Sequence, residues 1–548
     1  MIYREIWKIL GSFLFAFGLT LLFPFFIALY YEYIDPSPPI TQNHPEAFFI
    51  TFIICMLVAG VFRWLGGEAQ GKELYRKESL VAVVLIWFLT PVIAALPFIF
   101  TETLERPMQA YFEAVSGLTT TGASVFSAKR YDEQTGREIP YTRLIRGDLD
   151  TLYIYYGTLE PIRDENGKII LEGIDAVGRP LLLWRSFLQW IGGLGIIVLF
   201  VAILPALGVG GKFLFHTEMP GPLKETMTPR LKETAAMLWK IYVVMSLVQV
   251  LLLHYSDAAF SWYDSFAVTF STISTGGFAV HNGSIGYYES TTAEWIIIAF
   301  MLIGSINFSL YFYCLKGKIF RLNEPELLTY LIFILLAGTF VSFKLYGYER
   351  YPLTDAPVSY FGLAEAIRTG FFQVISAQTS TGFATTNFDL WPYVTQVLML
   401  ILIFIGGMSG STAGGIKMMR HIMVFRIVQN KVELLFRPTT VRNFRIGNKQ
   451  VSLDSALLVL CFFVTVLGLA VLSTFLLAYD GLDPQTALTT ITSTINNSGM
   501  GFREAGPTDS YAFLSNFSLV VTSITMIMGR LEFFAVLVIL VPAFWKKT

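Results

Sequence analysis

The chain repeats one pattern four times: a membrane-length apolar stretch, a short amphipathic stretch, and a turn that contains glycine. The turns are Thr121-Gly122-Ala123, Thr275-Gly276-Gly277, Thr381-Gly382-Phe383 and Ser498-Gly499-Met500. Repetition on this scale predicts one structural unit used four times around an axis. Glycine adopts backbone conformations that other residues avoid, so successive carbonyl oxygens can turn toward a shared axis and replace the water shell of a cation. The four turns therefore predict a selectivity filter.

Counting back ten positions from each glycine gives an aromatic residue in three of the four repeats. The residues at this position are Phe112, Phe266, Phe372 and Thr489. The residues that we expect to line the filter are Thr120, Thr121, Gly122, Ser274, Thr275, Gly276, Ser380, Thr381, Gly382, Asn497, Ser498 and Gly499. They carry hydroxyl and amide groups but no carboxylate. A filter of this kind suits a monovalent cation better than calcium or magnesium.

The composition predicts an all-α, polytopic membrane protein. Of 548 residues, 54% are hydrophobic and only 14% are charged, which a soluble globular chain rarely combines. The net charge of -1 gives no support for binding to nucleic acid. Apolar windows of about 20 residues predict about ten transmembrane helices. They are expected to begin near Ile6, Ala47, Ser79, Leu181, Ala235, Thr292, Glu326, Tyr393, Leu453 and Tyr511.

The distribution of basic residues predicts the orientation of these helices. The loops Asp35–Glu46 and Tyr255–Glu294 contain no Lys or Arg, whereas Arg420–Lys449 is strongly basic. Cytoplasmic loops carry an excess of Lys and Arg. We therefore expect both termini in the cytoplasm, with all four glycine turns and the charged segment after the first turn on the outer side.

Each repeat is predicted to contain an outward helix, a half-span re-entrant helix, the glycine turn and a returning helix around a central pore. The half-span segments are Met108–Thr120, Trp262–Ser274, Leu363–Ser380 and Pro484–Asn497. The expected domains are a two-helix appendage (1–77), repeat 1 with an extracellular insertion near 127–180 (78–233), repeat 2 (234–324), repeat 3 with an intramembrane gate (325–450) and repeat 4 (451–548). The half-span segments are too short or too polar to cross a bilayer, and their C-terminal ends would favour a cation in the cavity.

Several longer motifs resemble those of Trk-type potassium transporters of the bacterial inner membrane. They are Phe112–Ala123, Ser186–Gly193, Glu218–Leu223, Ser271–Phe278, Trp391-Pro392, Gly406–Lys417 and Gly529–Glu532. The resemblance implies potassium uptake, homodimerisation and a cytoplasmic nucleotide-binding regulatory subunit. The chain departs from the family pattern in a longer segment after the first filter, about 129–178, and in the Asn-Asn-Ser-Gly-Met form of the fourth turn.

A glycine-rich segment in repeat 3 is a candidate gate. The run from Gly406 to Gly415 holds a straight lipid-facing helix poorly, so we expect it to unwind below the filter. Arg530 lies inside the last apolar span, where inserting a charged side chain into the membrane costs roughly 2.5 to 3.5 kcal/mol. We therefore expect Arg530 to face the pore or a partner. Arg530 resembles an arginine of the family that lies beneath the filter and opposes cation passage. The alternative is that Arg530 forms a structural ion pair with a carboxylate. The expected gate residues are Gly406, Gly407, Gly410, Gly414, Gly415, Lys417 and Arg530.

Two other functions stay open at this stage. One is the potassium-binding subunit of an ATP-driven pump, which shares the four-repeat plan. The other is an intramembrane serine protease built on Gly407-Met-Ser409-Gly410, which needs a histidine near Ser409. No phosphate-binding loop motif is present, so we expect nucleotide dependence only through a partner. As a transporter subunit, the chain is expected not to be an enzyme and to hold no organic cofactor. The basic stretch from Arg420 to Arg445 is expected to bind an acidic regulator or anionic membrane lipids.

Overall fold

The computed structural model describes residues 3–35, 43–67, 76–132, 135–145, 151–193, 195, 231–354, 356–437, 445–446, 449–450 and 453–546. Among these residues, six helices are long and apolar enough to cross a membrane, and two bent helix pairs raise the number to eight. The described part of the chain is mainly helical, as the composition predicts. The motif Glu218–Leu223 lies outside it.

The N-terminal appendage packs against the outside of repeat 1. It consists of α1 (Tyr3–Thr20), α2 (Leu22–Tyr33) and α3 (Pro45–Gly66). Helix α1 packs closely against α3 because Gly11 has no side chain. A Cβ atom at Gly11 would be only 2.7 Å from the Ala59 carbonyl oxygen. Such small residues allow helix backbones to approach closely in membranes.

All four repeats contain a short pore helix between two apolar helices. Repeat 1 comprises α4 (Arg76–Ala94), α5 (Leu96–Phe100), pore helix α6 (Pro107–Leu118) and returning helix α7 (Arg179–Gly193). Repeat 2 comprises α8 (Leu231–Ser256), pore helix α9 (Trp262–Ile273), and α10 (Thr291–Ser305) with α11 (Phe308–Leu315). Repeat 3 comprises α12 (Pro325–Leu345), pore helix α13 (Leu363–Gln378), α14 (Tyr393–Ile405) and α15 (Met418–Phe436). Repeat 4 comprises α16 (Leu453–Tyr479), pore helix α17 (Pro484–Ile495), α18 (Asn516–Arg530) and α19 (Phe534–Leu540), followed by α20 (Pro542–Trp545).

The repeats form a closed ring. Each returning helix packs against the pore helix of the next repeat: α7 against α9, α10 against α13, α14 against α17, and α18 against α6. The last contact joins repeat 4 to repeat 1. The four pore helices therefore surround one axis, which is the arrangement that the sequence repeat predicts.

Among the described residues, three returning helices break beneath the pore helices. The axes of α10 and α11 differ by 92° and those of α18 and α19 by 115°, while α14 is followed by the glycine-rich segment. Only the third break was predicted from the sequence. The other two lack proline: the Asn307 side chain caps α11 by accepting a hydrogen bond from the Ser309 amide, and Glu532 and Phe533 have positive φ angles.

The predicted insertion after the first filter turn forms small antiparallel sheets. They pair β1 (Arg130–Tyr131) with β2 (Glu138–Ile139), β3 (Tyr141–Ile145) with β4 (Thr151–Tyr155), and β5 (Ile162–Arg163) with β6 (Ile169–Leu171). A short 3-10 turn, Gly173–Ala176, follows. Strands were not expected here; β3 and β4 are rich in Tyr, Thr, Leu and Ile, which favour a pleated, half-buried surface. Two further strand pairs are β7 (Glu349–Arg350) with β8 (Ser359–Tyr360), and β9 (Arg445–Ile446) with β10 (Lys449–Gln450).

Candidate ion pathway

The four pore helices end in the same backbone motif. At each end a hydroxyl or amide residue adopts a left-handed conformation: Thr120 (φ 56°), Thr275 (φ 52°), Ser380 (φ 55°) and Asn497 (φ 51°). The amide of the next residue donates to the carbonyl of a serine five positions earlier, and the four serines are Ser116, Ser271, Ser376 and Ser493, at 2.8–2.9 Å. These are the bonds of a Schellman motif. The motif turns the chain sharply, so each pore helix is followed at once by an extended filter wall.

Each filter wall contacts the next through one glycine. A Cβ atom on Gly122 would lie 2.2 Å from the Gly276 carbonyl oxygen, on Gly277 1.7 Å from that of Thr381, on Gly382 2.4 Å from that of Ser498, and on Gly499 2.3 Å from that of Thr121. The four glycines have φ angles of 81°, 80°, 85° and 66°. Both the close approach and the positive φ require glycine. The contacts run from repeat 1 to repeat 4 and back to repeat 1, so the walls form a closed ring.

The backbone corrects the alignment of the second repeat. Gly277, rather than Gly276, has the positive φ and the carbonyl contact that Gly122, Gly382 and Gly499 have. Gly276 corresponds to Thr121, and the residue ten positions before Gly277 is Ala267, so the assignment of Phe266 as a shared aromatic anchor was wrong. The sequence did hold the correct register, because a serine stands six residues before Gly122, Gly277, Gly382 and Gly499 but not before Gly276.

Side chains behind the filter differ among the walls. In repeats 1 and 3 the hydroxyls of Thr121 and Thr381 lie 2.7 Å from those of Thr119 and Thr379. In repeat 2 the equivalent residue is Gly276, and Gln189 of α7 fills the space: its Nε2 donates to the Gly276 carbonyl at 2.7 Å and its Oε1 accepts from the Phe278 amide at 3.1 Å. Gln189 is a positioning residue that the sequence analysis missed.

A buried ion pair braces the walls of repeats 1 and 2. The Arg185 Nε lies 2.8 Å from the Glu113 Oε1, and both side chains are almost completely buried. The other Glu113 oxygen accepts from the Val125 amide at 2.9 Å, and Arg185 donates to the Ala279 carbonyl at 3.2 Å. The guanidinium also lies between the Phe126 and Phe278 rings. From the sequence, Glu113 and Asp264 could either attract cations or act as structural partners; Glu113 pairs with Arg185, and Asp264 pairs with His281.

The gate segment, residues 406–417, is non-helical and lies directly beneath the filter. The Thr412 hydroxyl donates to the carbonyl oxygens of Ile273 at 3.1 Å and Gly304 at 2.9 Å. The Gly414 amide donates to the Ser380 hydroxyl, and the Gly415 amide donates to the Asn496 carbonyl at 2.8 Å. The segment therefore touches the ends of the pore helices of repeats 2, 3 and 4, as expected for a structure that closes the pathway from below.

Arg530 connects the gate segment to the remaining wall. Its guanidinium donates to the Thr120 hydroxyl at 3.1 Å, to the Thr412 carbonyl at 3.0 Å, and to the carbonyls of Gly192 and Gly193. Glu532, two residues on, pairs with Arg420 of α15. The positive charge of Arg530 thus lies at the lower face of the filter, between the first wall and the gate segment.

Two further side chains hold the ends of the gate segment. Glu326 in the first turn of α12 is buried, and its Oε1 accepts from the amides of Ser409 at 2.8 Å and Met419 at 3.1 Å. Lys417 is buried, and its Nζ donates to the Ala413 carbonyl within the segment. Both hypotheses for Lys417, proximity to the gate and a simple boundary position, stay open, since this contact lies within its own segment. The role of Glu326 was missed, since nothing in the sequence links it to residues more than 80 positions away.

Cavities of very different size lie above and below the filter. The vestibule, on the side of the insertion, has a volume of about 780 Å³ and is lined by all four filter glycines. The lower cavity has a volume of about 80 Å³ and is lined by the gate segment from Gly410 to Lys417 and by Arg530. The large cavity therefore lies on the vestibule side of the four glycines, and the gate segment and Arg530 leave little space on the other side.

The contacts of Ser409 do not form a catalytic site in the described part of the chain. Its amide donates to Glu326, and its hydroxyl is buried without a hydrogen-bond partner among the described residues. His421, on α15, stacks edge-on against Phe463 instead of contacting Ser409. The geometry gives no support to the protease hypothesis.

Known proteins provide an independent comparison. Residues 163–547 match the family TrkH, described as a cation transport protein. The chain is 32% identical to the Trk system potassium uptake protein TrkH of Salmonella typhimurium, with 100% of both chains covered, and 29% identical to the Trk system potassium uptake protein TrkI of Halomonas elongata, with 93% of this chain and 92% of that chain covered. The crystal structure of the potassium transporter TrkH from Vibrio parahaemolyticus matches the fold with a TM-score of 0.78 at 28% identity, covering 100% of both chains.

Proposed function

Because this chain belongs to the TrkH family of cation transport proteins, we propose that it takes up potassium through the ring of four glycine turns. One observation carries this proposal: each filter glycine lies against a carbonyl of the next wall, so four uncharged walls of backbone carbonyls meet around one axis. Carbonyl oxygens replace the hydration shell of a monovalent cation, whereas divalent cations prefer carboxylates. Potassium is the expected substrate because the relatives described above are potassium uptake proteins.

In the second wall Thr275, Gly276 and Gly277 take the positions of Thr120, Thr121 and Gly122, so that Ser274 corresponds to Thr119. The filter residues of the other three walls keep the roles proposed above. In this proposal potassium enters from the vestibule, loses water at the walls, and leaves when the gate segment moves away from Ser380 and Asn496. The charge of Arg530 disfavours a cation beneath the filter as long as its hydrogen bonds to Thr120 and Thr412 hold. Movement of the gate segment would break the contact with Thr412 and shift that charge.

Flux of rubidium and potassium into liposomes that contain the purified protein tests this function. We expect uptake that an imposed inside-negative membrane potential accelerates, with sodium moving more slowly. A subunit of an ATP-driven pump would give no flux without its ATPase. If the protein elutes as a single folded species and gives no flux either with or without the imposed membrane potential, the proposal is contradicted.

The positive-inside pattern supports insertion into the bacterial inner membrane with both termini in the cytoplasm and the vestibule outside. Reporter fusions test this arrangement. A cytoplasmic reporter fused after Thr548 should be active, and a cysteine introduced in the loop at Gly167, whose Cβ position is open, should react with an impermeant reagent in intact cells.

Homodimers and a cytoplasmic nucleotide-binding regulator are the proposed partners. Arg437, the residue that follows the last turn of α15, has an exposed side chain 3.8 Å from Glu433 and so offers positive charge for an acidic regulator. The neighbouring Arg442 lies outside the described residues. Reversal of both charges should weaken binding of a regulator in detergent, where no anionic lipid competes; retained binding would favour the membrane lipids instead.

A further inference from the structure

The insertion places an arginine inside a group of carboxylates at the mouth of the pore. Arg143 of β3 lies with its Nε 3.1 Å from the Glu504 Oε1, and its Nη1 donates to the Asp509 Oδ2 at 2.9 Å. Glu504 and Asp509 belong to the loop that follows the fourth filter wall. This loop and Arg143 line the same vestibule as Gly499. A fixed positive charge therefore lies beside the entrance of a cation pathway.

Glu504 is an unusual carboxylate. Its side chain is completely buried, and within the described part of the chain its oxygens accept no hydrogen bond, so the charge of Arg143 is its principal compensation. Burial raises the pKa of Glu504 to about 7, Arg143 opposes that shift, and the charges of Asp509, Asp483 and Asp389 add to it. A buried carboxylate without hydrogen bonds is costly unless it is paired.

We infer that Arg143 acts as a tethered cation that competes with incoming potassium for the negative potential of Glu504 and Asp509, and so sets the apparent affinity of the transporter for external potassium. Clefts lined by one sign of charge concentrate the opposite ion. The insertion cancels much of this effect by supplying its own positive charge. The inference rests on the proposed potassium uptake and on the outward orientation of the vestibule.

The hairpin that carries Arg143 has a second anchor that contains no positive charge. The Tyr153 hydroxyl of β4 donates to the Asp483 Oδ1 at 2.7 Å and accepts from the Asp483 amide at 2.9 Å. The two anchors allow mechanical and electrostatic roles to be separated. A change at Tyr153 loosens the same hairpin and leaves the charge of Arg143 in place.

The test measures the KM and maximal rate of rubidium uptake in potassium-depleted cells that lack other uptake systems. Arg143→Gln should lower the KM about two- to fivefold, as expected for loss of a partly exposed ion pair. The difference should shrink as choline chloride raises the ionic strength. Glu504→Gln, which removes one of the two carboxylates that pair with Arg143, should raise the KM by a similar factor, and the double variant should return close to the wild-type KM.

Two controls complete the design. Arg130→Gln removes another arginine that lines the vestibule but lies over the Tyr141 ring, at 4.0 Å, and should leave the KM unchanged. Tyr153→Phe should not lower the KM. An unchanged or raised KM in Arg143→Gln, or an equal decrease in Tyr153→Phe, would overturn the inference. If Glu504→Gln reduces the yield, Asp509→Asn tests the same charge. Saturable rubidium uptake by the wild type shows separately that the proposed function holds.

Discussion

The two faces of the filter are held by different kinds of interaction. On the vestibule side, the buried pair of Glu113 and Arg185 and the glycine contacts between walls leave little room for rearrangement. On the lower side, the gate segment and Arg530 are held mainly by hydrogen bonds to backbone carbonyls at helix ends and within the gate segment itself. Such bonds can be exchanged for bonds to water at low net cost. The comparison indicates that the vestibule side of the filter is rigid, whereas the gate segment and Arg530 on the lower side can change their hydrogen-bond partners.

The largest expected effect tests whether the pair of Glu113 and Arg185 makes the vestibule side of the filter rigid. Glu113→Gln leaves the Arg185 charge buried without its partner, so the folded protein should lose about 3 to 5 kcal/mol of stability. Yield and melting temperature in detergent measure this loss. Protein that does fold should discriminate less between rubidium and sodium, because Glu113 also binds the Val125 amide next to the first wall. A stable variant with unchanged selectivity would show that the upper side is not braced by this pair.

The second prediction compares neighbouring glycines of repeat 2. In Gly277→Ser the serine must adopt a positive φ angle, and its Cβ would lie 1.7 Å from the Thr381 carbonyl oxygen. The resulting strain of about 1 to 3 kcal/mol or more should lower uptake at least tenfold. Gly276→Ser meets only the flexible Gln189 side chain, and should therefore have a smaller effect that Gln189→Ala relieves. Rubidium uptake at matched expression checks both. Equal losses in the two variants would contradict the corrected register.

The third prediction tests whether the lower side moves. Arg530→Ala should raise flux about tenfold, the equivalent of losing one charge-assisted hydrogen bond of roughly 1.5 kcal/mol in the closed state. Removal of residues 410–412 should also raise flux, and the combined effect should be less than additive in free energy because Arg530 contacts Thr412. Single-channel or liposome flux recordings measure these changes. Reduced yield with no gain in flux would mean that Arg530 only stabilises the helix bundle.

The smallest expected effect concerns the attachment of the insertion to repeat 2. Burial lowers the pKa of His281, but hydrogen bonds and charge from Asp175 and Asp264 outweigh it and raise the pKa to about 9. Because the folded pKa lies above the unfolded value of about 6.5, the stabilisation is complete below about pH 6.5 and is lost as the pH rises through 9. The apparent melting temperature should fall by a few degrees between pH 7 and pH 10. His281→Gln should flatten this dependence; an equally steep curve in that variant would assign it to other groups.

Much of the fold follows from local sequence, and the exceptions have identifiable causes. The predicted starts of the apolar helices lie within a few residues of those observed. About ten spans were predicted, whereas at most eight among the described residues are long and apolar enough to cross a membrane, since α7 and α14 have 15 and 13 described residues. The half-span helices were also predicted correctly, and the unwound gate segment follows from its glycines. The breaks after Ser305 and Arg530 were missed because they contain no proline and depend on the Asn307 cap and on the positive φ angles of Glu532 and Phe533.

The candidate site was harder to predict, because its geometry depends on contacts between distant repeats. Two adjacent glycines made the register of repeat 2 ambiguous, and an aromatic residue was a poorer guide than the buried serine whose carbonyl closes the pore-helix end. Gln189, Arg185 and Glu326 act on residues more than 70 positions away. The hydrophobic periodicity of the sequence does not predict hydrogen bonds between residues so far apart in the chain. Only the ring of repeats brings them together.

The ring of walls is made from a single chain, and this has a consequence for how selectivity can change. In a pore built from four identical subunits, one substitution alters every quarter of the filter at once. Here each quarter is encoded separately, so Gly276 and Asn497 can differ from their counterparts without disturbing the other three. A mutation therefore changes ion preference in small steps, and selection can adjust one quarter while the remainder keeps the protein functional.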